Sequence, residues 1–311
     1  MVLKAKAPEK KEKRLKMFVF GPAGVGKTTA CLQFPKSYVI DTEKGTDFYA
    51  DTINKSGSVV LQTLNPDDIQ DELHSLLTEQ HGYKTLVIDP ITQVYNAVQE
   101  KWTRVFEKNA KSEKEAEIQD FGMRYWGKVK GNFKALQRLM LSLDMNVIIT
   151  SHQKDIYGVG MAKIGVGPDS MKGDEYIFDY VFQVERRGKD LIAKTIKERA
   201  EIGKQKFPEE FVWSYENFIK YYGQEIIERE TVPVAMATKE QVEKLNTLVG
   251  IVKIDDEIIQ KWLAKADVDS FDQMNGDTIQ KCIDFVQAKL DTLKIPAVEI
   301  LKPGTTKKGA K

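Results

Sequence analysis

The 311-residue chain has little of what staples or anchors a protein. Its two cysteines, Cys31 and Cys282, offer neither a disulfide framework nor a paired-thiol metal spacing. Its three histidines, His74, His81 and His152, include no two at a helical ligand spacing, and neither cysteine lies near one in sequence, which argues against a zinc site. No apolar run approaches the roughly 18 residues a membrane span needs, so no membrane partner is expected. The opening stretch "MVLKAKAPEKKEKRLK" lacks the apolar h-region of a secretory signal. These absences lead to the expectation of a reduced, cytoplasmic protein.

With 41% hydrophobic and 30% charged residues, the composition is that of a globular chain. The net charge of +1 hides an asymmetry, because residues 1–16 carry +5 and residues 302–311 carry +4, leaving −8 for the rest. Basic ends on an acidic body suit contact with a polyanion, and equally suit solubilising tails.

Short apolar runs alternate with helix-like stretches: "KMFVF" (16–20), "SYVID" (37–41), "SVVLQT" (58–63), "TLVID" (85–89) and "NVIIT" (146–150). That alternation predicts an α/β fold with a mainly parallel sheet. The runs at 181–187, 190–199 and 210–215 follow too closely for crossover helices, so antiparallel hairpins are expected at the end of the sheet. From Thr238, which forms a capping-box pattern with Gln241, the texture becomes purely helical. The expected organisation is a basic tail (1–15), an α/β core (16–228), a linker (229–236), a three-helix module (237–292) and a basic tail (293–311).

Directly after the first strand comes "GPAGVGKT", which fits G-x-x-x-x-G-K-S/T. Gly21, Pro22, Ala23, Gly24, Val25 and Gly26 would close backbone N–H groups around phosphates, Lys27 would reach the β and γ phosphates, and Thr28 would ligate Mg²⁺. Thr29 follows in the same helix start, whose dipole favours anions. The strand "TLVID" ends in Asp89, a second candidate ligand for Mg²⁺. ATP with Mg²⁺ is therefore the expected ligand pair.

P-loop ATPases of the AAA+ type usually carry a glutamate immediately after that aspartate, and here the position is Pro90. Asp41 and Glu43, at the end of the strand following the phosphate loop, point the same way if strand period two continues through them. Glu43 is the leading candidate to orient the attacking water, with Asp41 a helper to the metal or the turn.

"YVIDTEKG" resembles the element that carries the catalytic glutamate in the RecA/RadA recombinase superfamily. "NVIITSHQ" resembles that family's strand ending in a polar γ-phosphate sensor, which leaves His152 and Gln153 both open. The Gly- and Lys-rich stretch 154–172 occupies the place of the family's mobile DNA-binding loop, which implies Lys154, Lys163 and Lys172 as DNA contacts. "LIAKTIKER" is similar to the strand ending in K-x-K, which implies Lys197 and Arg199 as cations reaching a neighbouring subunit's ATP site, and hence a homo-oligomer. The resemblance covers about residues 15–225 and is greatest to the small RecA-like ATPases of bacteriophages that accompany single-strand annealing. It implies a RecA-like core, DNA-stimulated ATP hydrolysis, single-stranded DNA as partner, and an annealing or replication protein as a further partner. The alternatives are an AAA+-like remodeller or helicase loader acting on a protein through the helical module, and a nucleotide kinase, for which no arginine-rich lid is evident. Phe121, Tyr125, Trp126 and Phe133 fall at helical spacing and read as core rather than base-stacking residues.

Overall fold

The computed structural model describes residues 13–109, 122–199, 202–231, 236–266 and 268–292. The chain divides into two compact units, Met1–Val234 and Ala235–Lys311.

In the first unit, β1 (Lys16–Phe20) leads through the phosphate loop into α1 (Lys27–Cys31). That helix is short, ending at Cys31, and Pro35 disfavours its continuation through Phe34. Next come β2 (Ser37–Asp41), α2 (Ala50–Ser56), β3 (Val59–Gln62), α3 (Pro66–Thr78) and β4 (Thr85–Asp89). After these follow α4 (Ile91–Lys108), α5 (Gly122–Ser142) and β5 (Asn146–Ser151). A small hairpin, β6 (Gln153–Tyr157) and β7 (Lys163–Pro168), precedes β8 (Tyr180–Arg187), β9 (Asp190–Glu198), β10 (Glu210–Val212), α6 (Tyr215–Tyr222) and α7 (Gln224–Ile227).

Eight of these strands form one sheet in the order β10-β9-β8-β1-β5-β4-β2-β3, parallel from β8 to β3 and antiparallel from β8 to β10. This is the mainly parallel, helix-flanked sheet expected from the sequence. Every residue of β4 and β5 is buried, as central parallel strands covered on both faces must be. Beside β8 and β10 the core turns aromatic: Phe182, Phe207, Phe211, Trp213, Phe218 and Tyr222 pack into one cluster.

Two expectations change. The basic tail assigned to 1–15 is, at its described end, part of the body: Leu15 is fully buried, and Arg14 donates from Nε and Nη2 to the two carboxylate oxygens of Asp144 at 2.9 and 3.0 Å. Residues 1–12 and 293–311 lie outside the described residues, as do 232–235 of the expected linker. Within the stretch 154–172, expected as a mobile loop, the residues up to Pro168 form the β6–β7 hairpin, closed by a tip in which Gly160 and Met161 take positive φ. Of the four aromatics, Phe121 is outside the described residues, Tyr125 and Phe133 are buried, and Trp126 is partly exposed.

The second unit consists of α8 (Lys239–Val252), α9 (Asp256–Ala266) and α10 (Gly276–Thr292). Thr238 and Gln241 form the expected reciprocal capping box, at 3.2 and 3.1 Å. Leu245, Leu248, Leu263, Ile279, Ile283 and Val286 form its core.

Candidate functional site

The parallel strands all end at one edge of the sheet, and β5 lies between β1 and β4. The phosphate loop, Asp89 and the end of β5 are thereby brought together.

The loop's backbone can be built only with glycine at key positions. Gly24 and Gly26 both have φ of 73°, where side chains are disfavoured, and a Cβ on Gly21 would lie 2.1 Å from the carbonyl oxygen of Val184. Val25 is buried and anchors the loop to the core. The Lys27 ammonium donates to the carbonyls of Gly21 and Pro22, both at 2.8 Å. Burial lowers its pKa, and the charges of Asp89 and Glu43 act in the opposite sense.

Asp89 is buried, and that burial raises its pKa in spite of hydroxyl donors and Lys27. Thr28 Oγ1 donates to one of its oxygens at 2.6 Å, and Thr150 Oγ1 donates to the other. A hydroxyl and a carboxylate side by side are hard oxygen donors, the set that suits Mg²⁺. Together with the loop, whose backbone requires glycine at 21, 24 and 26, they fit a Mg²⁺–nucleotide group.

Asp41 and Glu43 do not point the same way, which corrects the expectation drawn from strand period two. The strand stops at Asp41, whose buried carboxylate turns inward. It accepts from the N–H groups of Glu43, Gly45 and Thr46 at 3.0, 3.3 and 2.9 Å, and from Thr46 Oγ1 at 2.6 Å. Burial alone would raise its pKa, but the Thr46 hydroxyl and the three N–H groups prevail and lower it. Glu43 lies beyond the strand with its side chain 40% exposed. Its Oε1 accepts from Gln93 Nε2 at 2.7 Å and lies 3.0 Å from His152 Nε2. Of the two residues left open after β5, His152 is the one beside Glu43. Gln153 opens β6, and its buried amide oxygen has no hydrogen-bond partner among the described residues.

Sequence reasoning missed Gln93, Arg186, Tyr49 and Trp213. Gln93 stands in the first turn of α4, and its position could be read only from knowing that a helix starts straight after Pro90. Arg186 Nη2 donates to Gly24 O at 2.8 Å, Trp213 Nε1 donates to Gly26 O at 3.2 Å, and Tyr49 OH lies 3.2 Å from Thr29 Oγ1. Residues Gly24 to Thr29, with Tyr49, Arg186 and Leu191, line a cavity of about 290 Å³.

Lys197 and Arg199 are not brought to this site. Lys197 pairs in register with Val181, and Val181 with Phe18; the Arg199 N–H donates to Asp179 O, and the Asp179 N–H to Lys16 O. Arg199 is thus level with the start of β1, about 13 Å along the strand from the phosphate loop at ~3.3 Å per residue. Lys197 Nζ donates to the carbonyls of Glu175 and Tyr176 at 3.1 and 2.8 Å, and Arg199 pairs with Asp179 at 3.0 Å.

On the hairpin, Lys154 pairs with Asp169 at 3.3 Å and Lys163 with Asp155 at 2.7 Å, while Lys172, in the turn that follows, is exposed. The hairpin's more distinctive surface is apolar: Ile156, Tyr157, Val159, Met161 and Ile164 all face solvent.

A family model described as an AAA domain matches residues 13–211, more than half of the chain. The chain belongs to this AAA domain family. Its core sets a phosphate loop on a mainly parallel, helix-flanked sheet, and this member has Pro90 after the strand-ending aspartate. Among solved structures, the RadB recombinase is similar over 59% of this chain and 80% of its own, at 14% identity and a TM-score of 0.35. A DnaB-like replicative helicase, from a structure that addresses its interactions with primase, is similar over 60% of this chain, at 10% identity and a TM-score of 0.38. This chain spans 54% of that helicase, about half its length. No curated protein matches the chain.

Proposed function

We propose that this AAA domain family member binds ATP with Mg²⁺, hydrolyses it with Glu43 orienting the attacking water, and couples hydrolysis to single-stranded DNA. The observation that carries this reading is the grouping of Glu43, Gln93 and His152 at the sheet edge that also holds Thr28 and Asp89. Glu43 stands clear of its own strand, and its neighbours at hydrogen-bond distance limit where its carboxylate can turn. The backbone N–H groups from Gly21 to Thr29, with Lys27, would cradle the phosphates; Lys27 would exchange its two carbonyl partners for phosphate oxygens. Thr28 and Asp89 would hold Mg²⁺, which supplies charge neutralisation on the β and γ phosphates. His152, within reach of Glu43, is the residue placed to link γ-phosphate occupancy to the hairpin that begins one residue later.

The hairpin's exposed apolar residues, with Lys172 exposed beyond it and Lys154 and Lys163 held by acids, support contact with unstacked bases and phosphates together. Lys197 and Arg199 lie too far from their own phosphate loop to serve it, which supports their use in trans within a homo-oligomer. We place the protein in phage-type recombination or annealing in the host cytoplasm, with an annealing or replication protein as a further partner.

The test is phosphate release with and without single-stranded DNA. Wild type should be stimulated, with DNA affinity falling steeply as salt rises. Absence of both stimulation and low-salt binding would sink the reading. The family match keeps a second reading in play, an AAA+-like remodeller acting on a protein partner. In that case Glu43→Gln leaves hydrolysis largely intact.

A further inference from the structure

In the helical unit, α9 and α10 enclose a groove of about 360 Å³. Trp262, Lys265 and Ala266 of α9 face Lys281, Cys282 and Phe285 of α10, residues that recur at helical spacing on each side. The floor is apolar. Trp262 and Phe285 meet edge to face, with centroids 5.7 Å apart and planes at 85°, and the buried Cys282 thiol lies with them. Phe285 remains 45% exposed, which is unusual for a residue so placed in a small helical core.

The rim is cationic. Lys265 and Lys281 are exposed, and among the described residues neither forms an ion pair; the nearby Lys261 is the one that pairs with Glu257, at 3.7 Å. Lys289 Nζ sits 5.0 Å above the Phe285 ring centroid. The acids that follow Lys281 along α10, Asp284 and Asp291, take hydrogen bonds from Gln280 and Gln287.

We infer that this groove docks an acidic peptide segment of a partner protein, with one large apolar side chain seated between Trp262 and Phe285 and carboxylates on Lys265, Lys281 and Lys289. Charge complementarity selects an acidic occupant, and the concave apolar floor selects one with a side chain to bury. Single-stranded nucleic acid is also acidic, but it is held by bases stacked on open ring faces. Here the two rings are perpendicular and Lys289 covers one face of Phe285, so they offer no such platform. The inference does not depend on the ATPase reading, since every residue it uses lies in the helical unit.

The experiment is fluorescence anisotropy of a labelled peptide, four aspartates followed by phenylalanine, titrated with the full-length chain. Binding should saturate. It should weaken at least tenfold, about 1.4 kcal/mol, when the peptide's phenylalanine becomes alanine or when the chain carries Lys265→Glu with Lys281→Glu. Far-UV circular dichroism and ATP turnover should be unchanged in that exposed double variant. The proposal is overturned if the peptide does not saturate, or if the double variant binds it as tightly as wild type. It is also overturned if the groove instead prefers labelled oligo(dT) or a peptide of residues 293–311, or if the double variant merely dissociates a dimer.

Discussion

The two ends of the eight-stranded sheet use charge in opposite ways. At the phosphate-loop end, Glu43 and His152 are each about two-fifths exposed, and Glu43 is held in part by a neutral partner, Gln93. At the other end, the Arg14 side chain is 8% exposed and saturated by both oxygens of Asp144 and by the carbonyl of Arg229 at 3.0 Å. Glu43 and His152 stay partly solvated and loosely partnered, whereas Arg14 is buried and fully bonded; Asp89, buried at the phosphate-loop end with a hydroxyl on each oxygen, keeps the contrast from being one of position alone. Lys197 and Arg199 break the pattern. They sit at the structural end, yet the Arg199 side chain stays half-exposed while paired with Asp179, and Lys197 Nζ donates to the backbone carbonyls of Glu175 and Tyr176.

The largest effect is expected from that exception. If Lys197 and Arg199 act in trans, replacing both by alanine removes charge stabilisation worth on the order of 10³ to 10⁵ in hydrolysis rate. Mixing Lys27→Ala and Arg199→Ala chains, each inactive alone, should restore turnover, because a shared site can be completed by one good half from each. A mixture that stays inactive would assign the two cations to the fold. Next in size, Glu43→Gln should lower phosphate release by about 10² to 10⁴, the range for loss of a positioned acid–base group, with ATP affinity retained. If Asp41→Asn matched that kinetic signature without loss of stability, the assignment of roles to the two acids would be reversed. Asp144→Ala tests the structural end: it leaves the buried Arg14 guanidinium without its carboxylate and should cost about 3 kcal/mol in urea unfolding, without altering turnover per folded molecule.

Much of this contrast is legible in the sequence, but only where the chemistry is local. The phosphate loop and Asp89 can be read because a nucleotide cradle needs glycines, a lysine and a hydroxyl at fixed spacing within one short run, and a buried strand needs consecutive apolar residues. The helical unit can be read because Thr238 to Gln241 and the apolar spacing after it are also local. Asp41 could not be oriented, since its direction depends on the strand stopping there and on Thr46 turning back to it. Gln93 meets Glu43 across 50 residues, Arg186 meets Gly24 across 162, and Trp213 meets Gly26 across 187. No spacing rule connects such pairs. The β6–β7 hairpin was hidden for another reason: Gly165 and Gly167 take alternate places in β7 and erase the apolar alternation that marks a strand.

The smallest effect sharpens the comparison through pH. Lys16 belongs to the structural end, with its ammonium donating to the carbonyls of Leu143 and Met145 at 2.9 and 3.1 Å. Burial brings its pKa down to about 7, while Asp144 and Asp179 pull the other way and Arg14 adds to the lowering. The unfolded chain keeps an ordinary lysine near 10.5. Between these values the unfolded state holds a proton that the folded state has released, so stability rises with pH across that window, by at most about 1.4 kcal/mol per pH unit. Below about pH 7 both states are protonated, and the cost of burying the charge is carried in full. Urea unfolding at pH 7, 8 and 9 should show this rise in wild type and a flatter profile in Lys16→Met. Equal slopes would mean that the ammonium is solvated in the folded protein, and that the two ends of the sheet differ less in their treatment of charge than the hydrogen bonds imply.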